Sequence, residues 1–256
     1  MRKFTYIDTE SAWDDDLHAG SHHIDPSVQP LHRIGSKRIF AAAALDVTVS
    51  SGGAISCENI VSWSEHDYGD EREIVARLFY HLRARDDRAV IGFGSKANDA
   101  PILELAAMEY SFALPVHFLS QRKWLELPDS AGRHYDLGLG MKGSGRTWHH
   151  LTEILLRMGL PVALMETKKH VEFPSTREGW EYAVAHVELD CALLAIAHLA
   201  WLRIQGKANV DSKIAVLVVL DWLSRHGKLT DGVKAKLANT CSGLSATFRD
   251  ERAWAA

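Results

Sequence analysis

"FTYIDTES", residues 4–11, is the stretch on which the reading of the whole chain turns. Residues 3–8 predict a short β-strand, and Asp8 and Glu10 stand at i and i+2 at its end. On an extended strand such residues share one face. Acids are disfavoured inside strands, so a purely local account ends the strand at Ile7, uses Asp8 to cap a turn and leaves Glu10 in water. The chemical account keeps both carboxylates on one face and gives them a common target, a metal ion.

Two more acids sit where that account needs them. Asp99 follows the compact apolar strand "RAVIGFG" and precedes Pro101, which opens the helix "APILELAAMEY". Active groups gather beyond the carboxyl ends of strands in open α/β sheets, although an ordinary helix cap would also place an Asp there. Asp190 belongs to a long helix from about residue 178 to 204, beside the stripe Trp180, Val184, Val187, Cys191, Leu194, His198 and Trp201. A carboxylate in that position is costly unless paired or bound to a metal. His186, four residues earlier, neighbours it on the same face, so a His–Asp pair within the core is the plainer explanation. Four acids near two strand ends and a late helix are what two divalent cations about 4 Å apart require. Hard oxygen ligands suit Mg²⁺ or Mn²⁺, and an imidazole titrating near neutrality suits proton transfer from water.

The rest of the chain supplies an α/β frame. "RIFAAAALDVTVS" and "AISCENIVSW" flank "SGG", which reads as a β-hairpin. Asp70 and Glu73 form a helix start resembling a capping box, followed by the stripe Ile74, Leu78, Leu82. Residues 11–36 read as an irregular loop, "HYDLGLGMKGSG" as a strand end and a glycine-rich loop, and "TWHHLTEILLRMGL" as a helix stopping at Gly159. After residue 204 the chain looks helical around "SKIAVLVVLDWLSRHG" and then fades into a polar tail. The order predicts a mixed β-sheet, an antiparallel hairpin plus parallel strands, flanked by helices. At 256 residues and 46% hydrophobic the chain can bury a sizeable core. Net charge −4 does not advertise a nucleic-acid partner, but a carboxylate-rich metal site is itself negative. Cys57, Cys191 and Cys241 are widely spaced and odd in number, which fits a reducing, cytoplasmic setting and no disulfide framework. The longest apolar runs predict no membrane span.

Taken together, these motifs resemble the DnaQ-like (DEDD) 3'–5' exonuclease superfamily, with its ribonuclease-H-like fold, and above all the predicted exonucleases related to the proofreading domain of family-B DNA polymerases. "YIDTES" matches the first motif, "VIGFGSKANDAPIL" the second, and "YAVAHVELDCALLA" the third. The resemblance covers about residues 3–204 and implies an exonuclease domain over 1–204 with a C-terminal helical extension over 205–256. It implies that Asp8 bridges two divalent cations, Glu10 and Asp190 complete the shell of one, and Asp99 holds the other. His186 would orient or deprotonate the attacking water. The substrate implied is a nucleic acid, single-stranded, with a free 3' end, yielding nucleoside 5'-monophosphates. Two departures stand out. The third motif is His-x-x-x-Asp, a histidine at the spacing the family gives to tyrosine, with Tyr182 one turn further back. Asn98 precedes Asp99 where the family usually has an aromatic residue.

Basic and aromatic residues near these motifs extend the reading to nucleic-acid contacts. Lys142, Arg146, Lys168 and Lys169 suit phosphates, or simply form a solvated surface. Trp13 suits stacking on a terminal base, or local packing. Two other readings compete: a non-catalytic nucleic-acid or partner-binding protein of the same fold, and a dinucleotide-binding enzyme using the G-x-G-x-x-G run Gly138–Gly143. The C-terminal extension is read either as padding for the core or as a surface for a protein partner.

Overall fold

The computed structural model describes residues 1–24, 34–119, 133–142, 149–166 and 171–254. In chain order the elements are β1 (Arg2–Trp13), α1 (Asp15–Ile24), β2 (Lys37–Val49), β3 (Ile55–Ser64), α2 (Glu65–Tyr68), α3 (Glu71–Arg83), β4 (Ala89–Gly92) and α4 (Asp99–Glu109). There follow α5 (Val116–Leu119), β5 (His134–Asp136), α6 (Leu137–Lys142), α7 (Leu151–Arg157), α8 (Val162–Met165), α9 (Arg177–Ile204), α10 (Ser212–His226) and α11 (Asp231–Trp254). The strands form one mixed sheet in the order β3-β2-β1-β4-β5. β1 and β2 are antiparallel, as are β2 and β3, whereas β4 runs parallel to both β1 and β5. The expected α/β architecture of ribonuclease-H type is what the chain adopts.

β1 is the central strand and is buried on both faces. Phe4 and Tyr6 pack against α9, and Ile7 packs against α3 and α4. Its neighbour β2 carries the run Ala41–Ala44, all four fully buried. Alanine is a poor strand former by preference, but here each methyl faces a helix. Ala41 and Ala43 belong to the α9 side, Ala42 and Ala44 to the α3 side. Small side chains in the middle strands let the helices approach the sheet closely on both sides.

The hairpin is formed as expected, and Asp70 caps α3 by accepting from the Glu73 N–H at 2.9 Å. Three expectations are corrected. Residues 11–36 are not wholly irregular, because β1 continues to Trp13 and α1 follows directly. The glycine-rich stretch after β5 is helical over Leu137–Lys142, not a loop, and its residues 143–145 lie outside the described residues. The polar tail is helix α11; its small and polar residues obscure a period that Val233 and Leu237 satisfy by burial.

α9 is long and apolar enough to cross a membrane by composition, but 89% of its most apolar window is buried in the protein. One side covers the sheet. The other is covered by α10, against which α11 packs in turn, and their Val216, Val219, Leu220, Leu223 and Val233 join the same core. The link into α10 docks on the hairpin: at Gly53 (φ 87°) an added Cβ would stand 1.8 Å from the Asn209 carbonyl oxygen, so only glycine fits. Glu188 ties these layers together, accepting from the Ser62 hydroxyl on β3 and the Lys228 backbone N–H, both at 2.6 Å. His198 is a satisfied core histidine, hydrogen-bonded to the Tyr6 hydroxyl at 3.0 Å and pushed down to about 3 by burial.

Because the C-terminal helices fill the core, Leu220→Ala is expected to lower unfolding free energy by about 2–5 kcal/mol. Chemical denaturation followed by circular dichroism checks this; an unchanged midpoint would mean that α10 is not part of the cooperative unit.

Candidate active site

β1 delivers Asp8 and Glu10 to the face that α9 covers, the same face as Phe4 and Tyr6. The strand therefore does not end at Ile7. A register shift between Glu10 and Ser11 marks where its pairing with β2 bulges. Bulges re-aim side chains and recur beside active sites. Across the gap, α9 presents His186 and Asp190 one turn apart. His186 Nε2 lies 3.3 Å from Glu10 Oε1 and 3.7 Å from Asp190 Oδ2. The imidazole thus stands between two carboxylates that come from distant parts of the chain, and the three side chains are only 6%, 17% and 13% exposed.

Tyr182 completes the approach, its ring centroid 6.0 Å from that of His186. Burial, then the nearby charges of Asp190 and Glu10, push its phenol above the ordinary value. It is therefore a hydroxyl that donates, not a phenolate base. Cys191 lies beside Asp8. Burial, followed by the charges of Asp8, Asp190 and Glu188, pushes its thiol far up, which makes it inert as a nucleophile.

Asp99 reaches the same strand differently. It begins α4, and its Oδ1 accepts from the Thr9 hydroxyl at 2.5 Å. Thr9 alternates with Asp8 and Glu10 and points to the opposite face of β1. Asp99 thus meets β1 between the two acids but from the α4 side. Burial pushes its carboxyl up to about 6, partly offset by the Thr9 bond and reinforced by Asp136.

The donor chemistry here is that of a hard divalent cation, three carboxylates and an imidazole. The spacing is not. Among the described residues no three His, Cys, Asp or Glu side chains are gathered closely enough to hold an ion. His186 fills the space between Glu10 and Asp190, and Asp99 is engaged by Thr9.

Several neighbours went unnoticed in the sequence. Asp136, at the end of β5, accepts the backbone N–H groups of Gly94 and Lys96 at 2.9 Å and of Leu139 at 3.1 Å. This anchors the loop that leads from β4 to Asp99. Its only sequence signal was its place at a strand end. Arg38, opposite Ala12 in the β1–β2 register, binds Asp14 at 2.5 Å, Glu71 at 3.1 Å and Glu109 at 3.0 Å. No spacing pattern announces that hub, because its partners come from two helices and the link between β1 and α1.

The expected nucleic-acid contacts divide. Trp13 ends β1, is 45% exposed, and has the Lys37 ammonium 4.6 Å from its ring centroid. Lys142 is the last residue of α6. Arg146, Lys168 and Lys169 lie outside the described residues. Of the G-x-G-x-x-G run, the described residues 138–142 are helical and form no phosphate loop, and Gly143 lies outside the described residues. Gly138 and Gly140 are helical, and Cβ atoms there would meet Gly94 N and Asp136 Oδ1 at 3.1 and 3.3 Å and the Tyr135 hydroxyl at 1.9 Å. These glycines serve packing.

No family model matches the sequence, and no curated protein matches it. Among solved structures, the chain is similar to the family B DNA polymerase of the hyperthermophilic archaeon Pyrobaculum calidifontis, with a TM-score of 0.50 and 13% identity. The likeness covers 93% of this chain and 27% of the polymerase, so the chain spans about a quarter of that relative's length. It is also similar to E. coli exonuclease I in complex with a dA16 oligonucleotide, with a TM-score of 0.38, 12% identity, and coverage of 88% and 44%. At 13% identity the property shared with the polymerase is the fold.

The Asp99 environment predicts a pH effect. Its folded-state value lies above that of an unfolded aspartate, so the native state holds the proton more tightly. Stability falls as pH rises from about 4 through about 6. In chelator-treated buffer, Asp99→Asn is expected to stabilise the protein by about 1–3 kcal/mol at pH 7 and by much less at pH 4, read from denaturation midpoints.

Proposed function

We propose that this chain is a divalent-metal-dependent 3'–5' exonuclease, releasing nucleoside 5'-monophosphates from the 3' end of a single-stranded DNA or RNA. The observation that carries this reading is the meeting of Glu10 from the first strand and Asp190 from a late helix on either side of His186. The ribonuclease-H-like fold supports it, as does the placing of Asp8 on the same strand face. Asp8, Glu10 and Asp190 would hold the cations, with Asp99 approaching from the Thr9 side, once the His186 ring turns out from between its two carboxylates. Bound ions would supply charge stabilisation to the attacking and leaving oxygens of the phosphodiester.

The remaining work falls to the chain's own residues. Turned out in this way, the His186 imidazole would take a proton from the attacking water. Tyr182 supplies a hydrogen-bond donor on the same face of α9. Trp13, with Lys37 against its ring, offers an exposed platform for a base at the far end of β1. Lys142, and in the same role Arg146, Lys168 and Lys169, would meet phosphates.

The closed arrangement around His186 favours one second reading, a binding protein of the same fold that does no chemistry. Incubation with 5'-labelled single-stranded DNA and RNA, with Mg²⁺, Mn²⁺ or chelator, separates the two. The expected result is a metal-dependent shortening ladder. Glu10→Gln and Asp190→Asn should each reduce it by at least a thousandfold, and His186→Ala by about 10²–10⁴-fold, the usual worth of a general base. Retention of labelled strand without shortening, under every metal, would establish the binding protein instead.

A further inference from the structure

On the other flank of α9 lies a cavity of ≈ 590 Å³, lined by residues of α9, β3, α2 and the α10–α11 link. At the helical turn of 3.6 residues, Trp180, Glu181 and Val184 leave α9 on the side away from Tyr182, His186 and Asp190. The helix itself therefore separates this cavity from the acids. The volume is in the range of small-molecule sites.

One wall is a fixed aromatic platform. Trp180 is held edge-on by Phe40 (centroids 6.0 Å, 79°) and by Phe173 (5.3 Å, 82°), while His66 lies nearly parallel to it at 6.0 Å and 19°. Rings locked in this way lose little freedom when a further ring stacks on them. The polar groups are of both signs. Arg177 is bonded to Glu181 at 3.0 Å, and Asp67 accepts from the Ser64 hydroxyl at 3.0 Å. Lys228 stands exposed at the mouth. The acid behind it, Glu188, is buried and already accepts from the Ser62 hydroxyl and the Lys228 backbone N–H, both at 2.6 Å.

We propose that this cavity binds a small molecule combining a planar aromatic ring with an anionic group, of the nucleoside monophosphate class, with the ring on Trp180 and the anion at Lys228. Asp67 and Glu181 suit amine donors on the ring edge, which a base carries and a plain aromatic acid lacks. The site stands apart from the acids and does not depend on their chemistry.

Isothermal titration calorimetry of the full chain with adenosine 5'-monophosphate tests this, with adenosine and ribose 5-phosphate as the two half-ligands. The expected result is one site per chain, with each half-ligand at least tenfold weaker. Trp180→Ala and Lys228→Glu should each weaken binding at least tenfold, while Asp8→Asn leaves it unchanged. Should Trp180→Ala fail to fold by circular dichroism, the exposed Lys228→Glu decides alone. Absence of binding at millimolar nucleotide overturns the proposal. So does binding that survives a folded cavity variant, or binding that Asp8→Asn removes.

Discussion

The structure depends on an inequality in the pairing of its central strand. β1 is hydrogen-bonded along its whole length to β2, but to β4 only over Phe4–Tyr6. Beyond Tyr6, one edge of a buried strand has no strand beside it, and unpaired backbone groups there are costly. The beginning of α4 takes that place, and Asp99 accepts from both the hydroxyl and the backbone of Thr9. Past that point Asp8 and Glu10 project from the face of β1 that α9 covers, and there α9 brings in His186 and Asp190.

The protein buries several charges and uses each as a clamp. Asp46, in the middle of β2, accepts from the Thr5 hydroxyl at 2.7 Å and binds His81 and Arg85 of α3 and its exit. Burial alone would push its carboxyl up, but these partners more than offset that and hold it below the usual range. Glu71 joins α3 to β2 through the Ile39 N–H at 2.7 Å and to Tyr110 at 2.9 Å. Such contacts contribute little net stability, because desolvation offsets most of the attraction. What they fix is position: each buried acid ties one strand to one helix. Glu10 and Asp190 differ, because both converge on one imidazole ring, that of His186.

Much of this was legible beforehand, for identifiable reasons. The paired acids on one strand face followed from the period-2 alternation of Phe4, Tyr6, Asp8 and Glu10, and the His186–Asp190 neighbourhood from helical spacing. The hairpin and the Asp70 cap were equally local. What escaped was nonlocal or lacked contrast. Thr9 gave no hint that it would hold Asp99, because that contact joins residues ninety positions apart. Arg38 and Asp136 act through partners drawn from several elements. α6 was hidden because its glycines imitate a phosphate loop, and α11 because its small and polar residues mask its apolar stripe. The cavity beside Trp180 could not be foreseen, since its walls come from both ends of the chain.

The double coverage of α9 has a consequence for biosynthesis. As the chain leaves the ribosome, the five strands and α9 emerge before α10 and α11. Until the last fifty or so residues arrive, the outer side of the most apolar helix has nothing to lie against. At about 5–20 residues per second that interval lasts several seconds. The nascent protein passes through it with a sticky helix on display, a natural target for a holding chaperone, and stalled translation in this region would favour aggregation over folding.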